Sequence, residues 1–183
     1  PHNLELREQI ASGRIAADTF YAELLRLIYR FLFLIVTEER DLVYPETRDE
    51  EVLRKKQIYY RYYSIERLRK LAGKLLYADN SKDDLWEGMK STFMLFENKY
   101  YGEKLGIQAL SSGIFATDAL RTLMTLRLDN CTLIDTIAGL CFFVNNQTGQ
   151  TVRVNYSDLD VEEFGSVYEG LLEYSPAFNL KNE

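Results

Sequence analysis

Histidine is all but missing from the sequence: His2, beside the first residue, is the only one. That removes histidine-based catalytic triads, His-rich metal sites and most general-base schemes. Cysteine is nearly as scarce. Cys131 and Cys141 stand in apolar surroundings and form no CxxC pair, so they read as reduced core residues of a cytosolic protein rather than a disulfide or a metal site. Only Pro1, Pro45 and Pro176 interrupt 183 residues, which favours long helices. Long hydrophobic runs are absent too. The most apolar window, FYAELLRLIYRFLFLIV at residues 20–36, contains Glu23, Arg26 and Arg30, and its uncharged run is six residues. A membrane span needs about 20 mostly apolar residues. The window reads as a buried core helix, and no membrane partner is expected. No secretory signal is visible, which makes the cytoplasm the expected compartment.

What is present is ordinary for a folded chain: 46% hydrophobic residues, 27% charged and a net charge of −6. This excludes wholesale disorder and a uniformly basic nucleic-acid sleeve. Helical periodicity dominates. The first strong helix is expected over residues 18–40, with Leu24, Leu27, Ile28, Phe31, Leu34 and Ile35 on one face. It ends in TEERDL before Pro45. A second helical region starts at Glu50 and divides near Ser64; Ile65, Leu68, Ala72, Leu75 and Leu76 share its apolar side. A third helix places Leu85, Trp86, Met89, Phe93 and Phe96 together, with Ser81, Asp83 or Asp84 as its cap. Residues 102–115 read as an ordered loop packing through Leu105, Ile107, Leu110, Ile114 and Phe115. A short helix is expected over 118–126. Another follows, capped by Asn130, with Leu133, Ile134, Ile137 and Leu140 buried.

Two β-prone runs flank NNQTGQ and predict one small β-hairpin near the C-terminal end. Asp160 and Glu163 form a D-x-x-E capping box for a last helix. Gly165 and Gly170 lie inside that helix, each costing about 1 kcal/mol relative to Ala, which close approach of another backbone would explain. The fold class is therefore mainly α: an irregular helical bundle with one small hairpin, as a single domain over residues 1–183.

The last helix also supplies a resemblance. VNYSDLDVEEFGSVYEGLLEY is similar to the segment just upstream of the catalytic domain in large adenine-specific DNA methyltransferases. These include the fused type IIG restriction–modification enzymes and the methyltransferases of BREX-like phage-defence systems in bacteria. Their pattern L-x-x-E-x-x-G-x-x-Y-E-x-x-L is carried here by Leu159, Glu162, Gly165, Tyr168, Glu169 and Leu172. LLRLIYRFLFLIVTEERDL, YYSIERLRKLA, LGIQALSSGIF and LRLDNCTLIDTIAGL fit the same region, so the resemblance spans about residues 20–174. It implies a non-catalytic accessory region, with the methyltransferase domain following it as its main partner. A helix bearing Phe164, Gly165, Tyr168, Glu169 and Leu172 would dock on that domain. S-adenosylmethionine is expected in the parent's catalytic domain and no cofactor in this chain. The family holds a flipped adenine with an Asn/Asp-Pro-Pro-Tyr/Phe motif, and no two prolines are adjacent here.

A metal-dependent nuclease of the kind some relatives carry would need acids on adjacent strand ends. Glu38, Glu39, Asp41, Asp49, Glu50 and Glu51 fall instead at helix ends or in a loop, as solvated charges or buried ion pairs.

Charge is unevenly distributed. Residues 50–77 hold eight lysines and arginines against three acids, a local charge of +5, so the remainder carries −11. Lys56, Arg61, Arg67, Lys70 and Lys74 are the candidate contacts to the phosphates of double-stranded DNA. Tyr59, Tyr60, Tyr62 and Tyr63 either stack on bases or fill a small core. The alternative function is a self-contained protein–protein interaction module.

Overall fold

The computed structural model describes residues 3–74, 80–110, 113–158, 161–172, 174 and 176, with positions 162, 163, 165, 166, 169 and 170 of the last helix described to the side chain. Among the described residues it is mainly helical, with one two-stranded sheet near the C-terminal end. The helices are α1 (Leu4–Ala11), α2 (Ala17–Glu39), α3 (Glu50–Tyr62), α4 (Ile65–Gly73), α5 (Asp84–Glu97), α6 (Lys99–Lys104), α7 (Asn130–Cys141) and α8 (Val161–Leu172). Two 3-10 turns, Gly113–Phe115 and Leu123–Thr125, lie between α6 and α7. Strands β1 (Phe142–Val144) and β2 (Thr151–Arg153) pair antiparallel, Phe143 opposite Val152.

Helix α2 is the central element. Its apolar residues surround most of its circumference, so it packs against several neighbours at once. Phe31 and Leu34 are fully buried, and they join Tyr59 of α3, Ile65 and Leu68 of α4, Trp86, Met89 and Phe93 of α5, and Leu133 and Ile137 of α7 in one core. Leu25, Tyr29 and Leu32 form a second, smaller cluster. Leu24 points outward instead. Aromatic edges hold the centre: Trp86 meets Phe93 edge-on at 6.2 Å, and Phe33 meets Phe115 at 5.2 Å.

The break between α3 and α4 falls at Ser64, as the sequence predicts. Asp49 caps α3 by accepting from the Glu51 amide at 2.8 Å. At α5 the cap comes from elsewhere. The Asp83 side chain makes no capping bond; the Leu85 amide donates to Asn130 at 3.2 Å, and Asn130 in turn donates to Asp84 at 2.9 Å. Asn130 is thus the first residue of α7 and a clamp on α5, not the cap of its own helix. Asp129 caps α7, accepting from the Thr132 amide at 2.9 Å.

Three further expectations are corrected. The third helix stops at Glu97, and Asn98 caps the short α6, which takes in residues assigned to the loop. Gly102 permits this corner: a Cβ there would lie 2.6 Å from the carbonyl oxygens of Leu95 and Ile107. Leu110 is exposed, while Ile107 and Phe115 are buried as expected. The helix expected over 118–126 is a succession of turns ending in the 3-10 turn Leu123–Thr125. Leu75 and Leu76 and the box residue Asp160 lie outside the described residues.

The hairpin leaves α7 without a linker, since Phe142 follows Cys141 directly. Its Phe142 ring lies over Gly73 at the end of α4, and Tyr156 donates to the Leu140 carbonyl at 2.6 Å.

Candidate functional site

The TEER end of α2 carries the most concentrated polar chemistry in the described structure. Glu38 is buried yet is an ordinary residue of a helix end, and its carboxylate serves two other helices. Oε1 accepts from the Tyr59 hydroxyl at 2.7 Å and the Ile65 amide at 2.9 Å; Oε2 accepts from the Glu66 amide at 2.9 Å. The first amides of a helix have no partner within it. Ser64, at the cap position of α4, makes no capping bond; its hydroxyl donates back to the Tyr60 carbonyl at 2.8 Å. Glu38 therefore caps α4 from a different helix, and its negative charge suits the positive end of that helix dipole.

Glu39, next along, binds the Arg69 guanidinium, accepts from Arg153 at 2.6 Å and takes the Tyr156 amide at 3.0 Å. Arg69 also pairs with Glu66 within α4. Glu38, Glu39, Glu66, Arg69 and Arg153, with Tyr60, Asn155 and Ser157, line an open pocket of about 370 Å³. The electrostatics follow from burial. Glu38 is pushed up to about 7 by desolvation, against the pull of its hydrogen bonds and of Arg69. Tyr59 is raised by desolvation and by the neighbouring Glu38 carboxylate, so it stays a hydroxyl donor. Tyr156 is pushed up to about 12 by burial. Glu39 is held in ion pairs with Arg69 and Arg153, in line with one reading of these acids, whereas Glu38 is buried among neutral donors and forms no ion pair among the described residues. Among the described residues no set of three acidic, cysteine or histidine side chains converges to hold a metal.

Two more charges are buried on α2. Glu23 accepts the amides of Thr122 and Leu123, at 2.8 and 2.9 Å, through one oxygen. Arg30 is fully buried. It donates to the Ile114 and Ala116 carbonyls at 2.6 and 3.3 Å, pairs with Glu97, and lies 5.0 Å from the ring centres of Phe93 and Phe115. None of these roles was read from the sequence. A signal existed: positions 23, 30 and 38 fall near one helical face that is otherwise apolar, where a charge needs a partner.

The candidate phosphate contacts fall in different settings. Lys56 pairs with Asp41 at 2.5 Å. Arg67 is half-buried, and its guanidinium lies against α5 beside Gly88. Lys70 is exposed and 3.5 Å from Glu66; Lys74 is exposed. Arg61 is exposed and lies 5.3 Å from the ring centre of Tyr62. Of the four tyrosines, Tyr59 is buried, Tyr60 and Tyr63 are half-buried in the core, and only Tyr62 is exposed. In α8, Gly165 and Glu169 are exposed, and a Cβ at Gly165 or Gly170 would meet nothing described within 4 Å. The side chains of Phe164, Tyr168 and Leu172 lie outside the described residues. Cys131 and Cys141 are both free thiols. Among the described residues no helix is long and apolar enough to cross a membrane.

No protein-family model, curated protein or solved structure matches the chain.

Proposed function

We infer that the chain is a non-catalytic helical scaffold, the accessory region of an adenine-specific DNA methyltransferase or fused restriction–modification enzyme of the bacterial cytoplasm. One observation carries the scaffold part. Glu23, Arg30 and Glu38 are the kind of buried charge from which a general acid, a base or an anion-binding cation is drawn. Each is bound instead to backbone groups of a segment distant in sequence. Side chains so engaged hold loops and helix ends in place.

The resemblance supports the rest. Helix α8 carries Glu162, Gly165, Tyr168, Glu169 and Leu172 of the family pattern. Through it the region packs on a methyltransferase domain that binds S-adenosylmethionine. Lys70 on α4 and Lys74 just beyond its end, both solvent-facing, are the cations best placed for the DNA backbone. The test is to express the reading frame that contains this segment beside the 183-residue chain alone. The whole protein is expected to bind S-adenosylmethionine and methylate adenine, and the chain alone to do neither. Methyl transfer by the chain alone, or a reading frame without a methyltransferase domain, overturns the reading. A second reading, a protein-interaction module, is favoured by α3, where Arg61 and Tyr62 stand beside exposed Leu53 and Ile58.

A further inference from the structure

Helix α3 turns one side away from the body. Leu53, Arg54, Gln57, Ile58, Arg61 and Tyr62 are exposed there, at i, i+1, i+4, i+5, i+8 and i+9, a single face. Cations on the other side of the helix are neutralised: Lys55 by Glu51 at 2.7 Å and Lys56 by Asp41. Arg54 and Arg61 have no ion-pair partner among the described residues. Arginine with tyrosine and aliphatic side chains is the composition of a protein-binding centre. A track of phosphate contacts draws on polar neighbours, which Leu53 and Ile58 are not.

The chain contains a face of the opposite sign and the same spacing. On α8, Glu162, Ser166 and Glu169 are exposed at i, i+4 and i+7. Neither Glu162 nor Glu169 has an ion-pair partner among the described residues. Glu162 and Glu169 are seven residues apart, as are Arg54 and Arg61, which is about 10 Å along either helix axis. Between the two glutamates stand the small residues Gly165 and Ser166, and among the described residues nothing lies within 4 Å of a Cβ at Gly165. Between the two arginines stands Ile58, which projects.

We propose that α3 of one copy docks on α8 of a second copy, with Arg54 and Arg61 facing Glu162 and Glu169 and Ile58 over Gly165. A single helix-on-helix contact of this length is small. A two-fold dimer makes it twice, because each copy brings both faces. The proposal concerns the 183-residue chain by itself: in the methyltransferase reading the same α8 residues, Glu162, Gly165 and Glu169, meet the catalytic domain, so the two contacts exclude each other.

Sedimentation equilibrium of the 183-residue chain tests it. A dimer is expected at low ionic strength, weakened about tenfold between about 50 and 500 mM salt because the pairs lie at the surface. R54E/R61E and E162R/E169R are each expected to be monomeric, with circular dichroism unchanged since all four side chains are exposed. Mixed in equal amounts, the two variants are expected to form a heterodimer, since every contact across it then joins opposite charges. A monomeric wild type, a dimer indifferent to both variants, or a mixture that stays monomeric overturns the proposal. So does an R54E/R61E variant that loses DNA binding while keeping the wild-type mass, which assigns this face to phosphate instead.

Discussion

Two stretches of α2 bury a full charge and deal with it in opposite ways. Around Arg30 the protein surrounds a cation that cannot be discharged. Glu97 supplies the counter-charge, two carbonyls take further donors, and two rings present their faces. Burial lowers the Arg30 pKa, yet from a start so high that the charge persists across the physiological range. Two turns on, Glu38 receives only neutral donors directly, a phenol and two amides. Arg69 acts on it from outside that set and belongs chiefly to Glu39 and Glu66. The carboxyl therefore sits near the point of taking up a proton. A buried group that cannot ionise away must be fully matched, and one that can is left partly matched.

The largest break in this comparison is at the matched end. Arg30→Met takes the cation from the Glu97 carboxylate and the donors from two carbonyls, and breaking a buried pair from one side costs about 3–5 kcal/mol. Urea unfolding measures it. Adding Glu97→Leu to the same chain is expected to recover a large part of the loss, because the pair is then replaced rather than broken. No recovery would place the stability in the carbonyl contacts instead.

At the other end the effect depends on pH. The folded pKa of Glu38, about 7, lies above its ordinary 4.5. The stability this group lends is fully present below about pH 4.5 and is lost as pH rises through about 7, a span worth about 3 kcal/mol. Glu38→Gln removes that slope. Thermal melts of both proteins between pH 4.5 and 8 are expected to show the gap between wild type and variant shrinking as pH rises. A constant gap would mean that Glu38 does not titrate in this window. Tyr59→Phe sharpens the same point. It deletes a hydrogen bond to a buried carboxylate, for about 2 kcal/mol at pH 8, and less at pH 5, where the carboxyl is protonated.

The same contrast marks the limit of what the sequence discloses. Periodicity gives α2, α5 and α7, the division at Ser64 and the hairpin, because each is local and its apolar face is continuous. The TEERDL acids are also legible as a place where charge meets a helix end. Their partners are not. Glu38 serves amides 27 and 28 residues away, and Glu23 serves amides 99 and 100 residues away. Residues 118–126 have helical composition but form turns whose free amides are satisfied by a side chain from another helix. Asn130 looks like a cap and is one, but for α5 across a gap of 45 residues. Local pattern reports which groups need partners; tertiary packing decides which partners they get.

Glu23 is the smallest break and the most discriminating. Both of its hydrogen bonds land on one oxygen, Oε2, whereas Glu38 accepts through both. A glutamine keeps one acceptor oxygen and turns the other into a donor. In Glu23→Gln the retained oxygen can hold both amides of the Leu123–Thr125 turn, and only the extra strength of a charged acceptor is lost, about 1 kcal/mol. In Glu38→Gln the new amide group must face the Glu66 amide or the Ile65 amide and the Tyr59 hydroxyl, donor against donor; against the ionised wild-type carboxylate of pH 8 this adds the penalty for a buried unsatisfied group, about 1–3 kcal/mol, less the desolvation that raises the Glu38 pKa and that a neutral amide avoids. Equal losses at pH 8 would mean that the two carboxylates act through charge alone. A clearly smaller loss at Glu23 would show that α2 places its acids as acceptors, counted by oxygen.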